Sequence, residues 1–326
     1  MQLHKRIGRR VKLQDLNILM TVVEAGSMRK AAALLNTTQP AVSRSIADLE
    51  YSVGVRLLDR NAQGIEPTRY GDALLRRGIA VFDELKQGMK DIEFLADPSA
   101  GELRIGTGTA LADGIVLPTI DRISRQYPRV VFHVTSGLLD VLSNELRGRR
   151  IDLGFAWMST LDSEENIEAE FLFSEPLVVV AGAKTGWARR RKIDLAEVAD
   201  ELWALPPPGS VIERLANEGF RTRGLAAPRA SVYAQATNMR LRMAETGRFL
   251  SIVTASAVRF ARKNASIKVL PVDFPSTGRQ VAMITLKNRT LSPLAQRFMV
   301  CAREVARSIG ENPLVIDSHP RKVRGR

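Results

Sequence analysis

The sequence predicts a multidomain protein: an N-terminal all-α helix-turn-helix with a β-hairpin wing, a long linker helix, and a C-terminal α/β domain. Three observations predict it. Apolar residues recur at helical spacing on either side of a short polar turn before residue 70. One unbroken helical pattern then runs to Ala96 and stops at Asp97-Pro98-Ser99-Ala100-Gly101. From Leu103 onward, short β-branched runs alternate with helical stretches, the pattern of a sheet with parallel pairing.

The bulk properties set the frame. A chain of 326 residues accommodates two or three compact units, and 45% hydrophobic with 25% charged residues is the balance of an ordinary globular protein. The formal net charge of +13 favours a polyanionic partner, nucleic acid ahead of an anionic membrane surface. Residues 1–69 hold eleven Lys/Arg against six Asp/Glu, a net of +5, so charge by itself is weaker support than particular positions. The single Cys301 cannot form an internal disulfide. The basic start MQLHKRIGRRVK lacks the apolar run of a signal peptide, and Leu177 to Ala183 is too short to cross a bilayer. The expectation is a cytoplasmic protein with no membrane partner.

The first unit is read over residues 13–69. A helix from Leu13 to Ala25 carries Leu16, Leu19, Met20 and Val23 at three-to-four spacing and ends at Gly26. Ser27 stands where an N-cap belongs, and a second helix, Met28 to Leu35, has small residues Ala31, Ala32 and Ala33 that let another helix cross closely. Asn36-Thr37-Thr38 makes the turn; Thr38 caps a third helix starting at Gln39, with Pro40 in the tolerated first turn. Val42, Ile46 and Leu49 mark that helix's buried side and leave Gln39, Ser43 and Arg44 outward. Gln pairs with adenine, Arg with guanine, and Ser with base or phosphate, so this face suits a major groove. A strand from Val55 to Asp59, the turn Asn61-Ala62-Gln63-Gly64 and a return to Thr68 form the wing, with Arg60 at its root within reach of phosphate or minor groove. Arg29 and Thr68 are further backbone-contact candidates. Helix-turn-helix spacing also occurs in small packing units that bind no DNA.

These residues resemble a named family. The run A-G-S-M-x-K-A-A-x-x-L-N-x-T-Q-P-A-V-S-R-S-I-x-x-L-E, then G-V-x-L-L-D-R and P-T-x-Y-G, is similar to the DNA-binding domain of LysR-type transcriptional regulators, most strongly over Leu13 to Gly71. Met28 and Asp59 are small departures from the family pattern. The stretch from Ala73 to Gly106 further resembles the galactose-binding-protein regulator subgroup.

The linker helix, residues 70–96, shows two columns repeating every seven residues: Leu75, Phe82, Met89, Ala96, and Gly71, Gly78, Leu85, Ile92. Such a stripe fits helix pairing, with Leu75, Phe82, Leu85, Met89 and Ile92 as dimerisation candidates; an amphipathic helix packed on its own domain produces the same pattern. The family resemblance implies an antiparallel dimer linker and a tetramer.

The remainder, residues 101–310, reads as an effector-binding domain followed by a basic tail, residues 311–326. LRIGTG, VVFHVTSG, IDLGFAW, EPLVVVAG and FLSIVTA read as buried strands, with helices such as Ala112 to Tyr127 and Leu138 to Arg147 between them. The resemblance implies two α/β lobes like a periplasmic binding protein: lobe I over 101–172 and 270–310, lobe II over 173–269. Ligands in open α/β sheets lie beyond the carboxyl ends of the strands, where helix N-termini supply donors. That rule selects Thr107, Gly108, Thr109, Ser136 and Gly137 in lobe I and Ser210, Thr237 and Asn238 in lobe II, all of which also serve as ordinary caps and turn residues. Trp157 reads as core. Hydroxyls and helix N-termini favour an organic acid or a sugar-like effector. The basic run Arg189, Arg190, Arg191, Lys192 reads as a solvated face.

No catalytic arrangement stands out. His4, His133 and His319 fall in a basic terminus, a strand and the tail, which does not suit a triad or a metal site. Gly106-Thr107-Gly108 follows a strand, but position 111 is Leu, so the dinucleotide fingerprint fails and no cofactor is expected. The leading expectation is a DNA-binding transcriptional regulator whose binding to promoter DNA is modulated by a small molecule, with RNA polymerase as a further candidate partner. Two rivals are a regulator without an effector, and a solute-binding or enzymatic α/β module with a basic tether.

Overall fold

The computed structural model describes residues 11–61, 64–108, 111–158, 166–261, 266–274 and 279–311; the side chains of Arg60, Arg259, Phe260, Ala261, Arg279 and Glu311 lie outside that description. The expected site residue Thr109, the side chain of Arg60 and the tail beyond 311 therefore lie outside the described residues. The chain divides into two compact units, Met1–Met89 and Lys90–Arg326.

The first unit is a three-helix bundle with a hairpin. Helix α1 (Leu13–Ala25) ends where Gly26 adopts φ 65, and Ser27 caps α2 (Met28–Leu34) by accepting from Lys30 N. Asn36, at φ 50, turns the chain, and Thr38 caps α3 (Gln39–Val53) by accepting from Ala41 N. Leu19, Val22, Ala31, Val42, Ile46 and Leu49 close the core, and Met28, a departure from the family pattern, is buried in it. The hairpin strands are β1 (Leu58–Asn61) and β2 (Gly64–Pro67). The first begins three residues later than the sequence pattern suggests. Glu50 explains the shift: its Oε1 accepts from Leu57 N at 2.7 Å and Leu58 N at 3.1 Å, so this segment is held by a side chain before the ladder starts.

Helix α4 (Arg69–Ala96) follows without a loop. Thr68 fixes its start by donating to Arg56 O and accepting from Gly71 N. A Cβ on Gly71 would lie 2.1 Å from Leu57 O, so only glycine permits this approach of helix to hairpin root.

The second unit carries two five-stranded sheets. The first has the order β4-β3-β5-β12-β6, from β3 (Ala100–Thr107), β4 (Arg129–Ser136), β5 (Leu153–Met158), β6 (Ile167–Glu175) and β12 (Arg279–Leu286). Its helices are α5 (Leu117–Gln126), entered through a π-turn at Ala112–Val116, α6 (Leu139–Arg147) and α10 (Pro293–Glu311). The second sheet has the order β11-β7-β10-β8-β9, from β7 (Leu177–Gly182), β8 (Trp203–Leu205), β9 (Ala230–Tyr233), β10 (Leu250–Thr254) and β11 (Ile267–Val269), with α7 (Val211–Arg221), α8 (Thr237–Glu245) and α9 (Ala255–Ala261). Both sheets are mixed rather than wholly parallel: β12 runs antiparallel to β5 and β6, and β7 antiparallel to β10 and β11. The two-residue period is plain in β5, where Leu153 and Phe155 enter one core while Ala156 and Met158 enter the core on the other face.

Two features depart from the sequence reading. Strand β4, read as buried, is an edge strand with Val131, His133 and Val134 exposed, because the sheet ends there. Strand β6 stays paired with β12 as far as Glu175, so the crossing to the second sheet falls at Pro176, beyond the Leu172 at which the family resemblance divides the lobes.

Asp152 ties the first lobe together. Buried at the entrance to β5, it accepts from Arg104 N at 2.9 Å, Arg289 Nη2 at 3.2 Å and Lys90 Nζ at 3.4 Å; the side chains of Asp152, Arg289 and Lys90 are 5%, 1% and 13% exposed. Removing the carboxylate strands two enclosed cations, so Asp152→Ala is expected to lower unfolding free energy by roughly 3–5 kcal/mol. Urea unfolding of the full chain measures it; a loss under about 1 kcal/mol contradicts a structural role.

Candidate functional site

The outward face of α3 is built by what the opposite face buries. With Val42, Ile46 and Leu49 fixed in the core, Gln39, Pro40 and Arg44 stand exposed and Ser43 half-buried. Among the described residues Gln39, Ser43 and Arg44 have no hydrogen-bonding side-chain partner, so their donors and acceptors remain available. Thr38 caps the helix through Ala41 N, and this brings the α3 N-terminus, with its unsatisfied N–H groups, to the same exposed surface. Arg29 is exposed on α2. Thr68, expected near the DNA backbone, uses both its hydroxyl donor and an acceptor lone pair at the helix start and hairpin root. Two structural residues escaped the sequence reading. Glu50 anchors the wing, and Ser45 donates to Asp15 Oδ1 at 2.8 Å, pinning α3 to α1. The E closing the family motif was the available signal for Glu50.

The linker residues divide. Leu75 packs against the three-helix core, as does Leu74, and a Cβ on Gly78 would lie 3.6 Å from the Met20 sulfur. The heptad columns thus begin as internal packing, with Leu75 partly buried against the three-helix core. Phe82 is half-buried, whereas Leu85, Met89 and Ile92 are 50%, 57% and 60% exposed, with Val81 and Leu95 also exposed.

In the second unit the carboxyl ends of the parallel strands of both sheets come together. A Cβ on Gly114 of the π-turn would lie 2.3 Å from Ser256 Oγ at the start of α9, and Trp157, near the end of β5, packs against the apolar clusters of both lobes. The expected lobe I residues are mostly engaged internally. Thr107 is fully buried and donates to Gly108 O; Gly108 N donates to Phe155 O and Gly137 N to Thr107 O. These three tie strand ends to one another, so the N–H groups of Gly108 and Gly137 and the Thr107 hydroxyl are already engaged. Thr237 is likewise buried, accepting from Arg240 Nη2, and Ser210 caps α7 by accepting from Glu213 N. Ser136 and Asn238 remain exposed.

The sequence reading missed a different set. Trp157 Nε1, Thr254 Oγ1 and Ser256 Oγ are buried without a hydrogen-bond partner among the described residues. Thr254 ends β10 and Ser256 opens α9, so the carboxyl-end rule could have selected them. Beside them Glu175 Oε1 accepts from Ser256 N at 2.9 Å. Arg240, 1% exposed, meets only oxygens: the carbonyls of Ala234 and Gln235 and the Thr237 hydroxyl. Burial pulls its guanidinium down to about 10, still charged at neutral pH. It therefore adds positive charge at the α8 N-terminus.

Comparison with known proteins decides the family. Residues 13–72 match the bacterial regulatory helix-turn-helix protein, lysR family, and residues 96–307 match the LysR substrate binding domain. The chain belongs to the LysR family of transcriptional regulators. It is 26% identical over 295 residues to the HTH-type transcriptional regulator GbpR of Azospirillum brasilense, covering 90% of this chain and 86% of that one. It is 26% identical over 288 residues to the transcriptional dual regulator GltC of Bacillus subtilis, covering 88% and 95%. Full-length OxyR from Pseudomonas aeruginosa shares the fold with a TM-score of 0.63 at 20% identity, over 91% of this chain and 95% of that one. CbnR complexed with its target DNA shares it at a TM-score of 0.52 and 22% identity, over 91% and 100%.

This LysR-type regulator thus joins a DNA-binding helix-turn-helix to a two-lobed, periplasmic-binding-protein-like domain that binds an effector; it is a regulator, not an enzyme. No helix among the described residues is long and apolar enough to cross a membrane. Glu50→Ala leaves Leu57 N and Leu58 N without their carboxylate, and is expected to cost about 1.5–3 kcal/mol. Thermal melting reads that loss, and DNA affinity is expected to fall with it as the wing loosens.

Proposed function

We propose that this cytoplasmic regulator reads promoter DNA through Gln39, Ser43 and Arg44 in the major groove, with Arg29, Thr38, Pro40 and Arg60 on the flanking backbone. The observation that carries the assignment is the exposed, unpartnered face of α3 held rigid by Val42, Ile46 and Leu49. Arg44→Ala and Gln39→Ala are each expected to weaken specific binding by about 5- to 150-fold, equivalent to roughly 1–3 kcal/mol, while nonspecific binding changes far less. Gel retardation on the promoter of the regulator's own gene, against a scrambled duplex, checks it; equal losses on both would assign these residues to phosphate.

The exposed half of the α4 stripe, Leu85, Met89 and Ile92, is the surface for a second copy, with Phe82 at its margin. Three large apolar side chains at least half exposed on one helix face favour covering by an apolar partner. Leu85→Asp combined with Met89→Asp is expected to halve the mass measured by light scattering. An unchanged mass rejects the assignment.

The effector is bound between the lobes, where Trp157 Nε1, Thr254 Oγ1 and Ser256 Oγ await partners; reaching them requires Gly114 and Ser256 to part. An organic acid or a sugar supplies the missing acceptors and donors, and the Arg240 charge favours the acid. Because buried unpaired polar atoms cost stability, Thr254→Val with Ser256→Ala is expected to leave the ligand-free melting temperature unchanged or raised. The same variant is expected to lose the melting-temperature rise that a panel of monosaccharides and small organic acids produces in the parent. A variant that retains the full shift places the effector elsewhere.

A further inference from the structure

The first lobe contains a cavity of about 410 Å³ under α10, at the edge strand β6. It lies at the far end of that strand from the lobe crossing. Glu168 and Thr285 face each other across β6 and β12 at the cavity, whereas Glu175 and Arg279 are paired at the crossing. Seven residues of extended chain separate the two positions on β6, roughly 23 Å. The cavity is therefore distinct from the interlobe site.

Its walls have a definite chemistry. Met283, Leu286, Leu291 and Met299 contribute an apolar surface in which two thioethers adapt to irregular shapes. The charged groups of the walls, two carboxylates and two guanidinium groups, sum to zero, but their ion pairs do not all close within the walls. Glu170 is gripped by Arg303 through contacts of 2.7 and 2.9 Å, and Arg289 is matched by Asp152 at 3.2 Å. Glu168 is exposed and has neither an ion pair nor a hydrogen bond among the described residues. Thr285 is only 9% exposed, and its hydroxyl makes no hydrogen bond among the described residues.

We propose that this cavity is a second ligand site that takes a small aliphatic ammonium compound. The cation pairs with Glu168, the carboxylate on the walls that has no ion pair among the described residues. The aliphatic body covers the thioethers and leucines, and the Thr285 hydroxyl serves a second polar group. A carboxylate of the same size would meet Glu168, while Arg303 and Arg289 are already engaged by Glu170 and Asp152, and binds more weakly. The volume lies within the range of ordinary small-molecule pockets.

The test is titration of the full-length protein with n-butylammonium and 1,4-diaminobutane at constant ionic strength, with butanoate as control, read by calorimetry and thermal melting. The expected result is saturable binding and a rise in melting temperature with at least one ammonium probe and neither with butanoate. Glu168→Gln, a change at an exposed position, is expected to weaken that binding about tenfold or more, as loss of a charge-assisted contact does. Thr254→Val with Ser256→Ala, at the interlobe junction, is expected to leave it unchanged. The proposal fails if neither ammonium probe saturates, if butanoate binds equally well, or if Glu168→Gln binds as the parent does. It also fails if the interlobe variant abolishes binding.

Discussion

One enclosed carboxylate organises the effector half. Asp152 receives a backbone N–H from β3, an ammonium from the last turns of the preceding α4 and a guanidinium from the segment before α10, far along the chain. Two cations around one anion would be unfavourable in a dry interior, but Arg289 Nη1 is further satisfied by the carbonyl of Ile151 at 2.6 Å. The arrangement fixes register as well as energy, since the carboxylate can meet all three donors only when β3, β5 and the segment before α10 are seated together. Lys90 joins the helix end to that same point, so the end of the linker belongs physically to the lobe.

Helix α4 shows how one periodic pattern serves two purposes. A seven-residue repeat cannot state whether its partner is the same chain or another. The structure separates the cases by neighbours: Gly71, Leu75 and Gly78 abut the three-helix core, while beyond them the stripe faces outward at Leu85, Met89 and Ile92. Glycines at the first positions admit close approach, and large side chains at the later ones suit a surface covered by something apolar.

Much of the DNA-reading unit was legible in the sequence because its constraints are local. Gly26 at positive φ, Ser27 and Thr38 as caps, and the buried spacing of Val42, Ile46 and Leu49 are decided within a few residues of one another. The proposed ligand site was harder to read because it depends on which polar groups the fold has already engaged. Gly108 and Gly137 occupy the loops the carboxyl-end rule selects, yet their N–H groups bond to Phe155 and Thr107 carbonyls. Thr254, in an apolar run that reads simply as a strand, and Ser256 just beyond it have buried hydroxyls without partners among the described residues. Sequence position identified the loops; only the network of donors and acceptors identified the vacancies.

The close seating of Gly71 on the Leu57 carbonyl, reinforced by Thr68, removes any swivel between the hairpin root and the long helix. Helix and reading head then turn as one body. At 1.5 Å per residue, the part of α4 that belongs to this unit, residues 69–89, forms an arm of roughly 32 Å, so a tilt of about 7° at one end displaces the other by about 4 Å. That displacement exceeds the length of a hydrogen bond. A small angular change can therefore carry a side chain on the head beyond contact distance of a fixed partner without any rearrangement inside the helix-turn-helix.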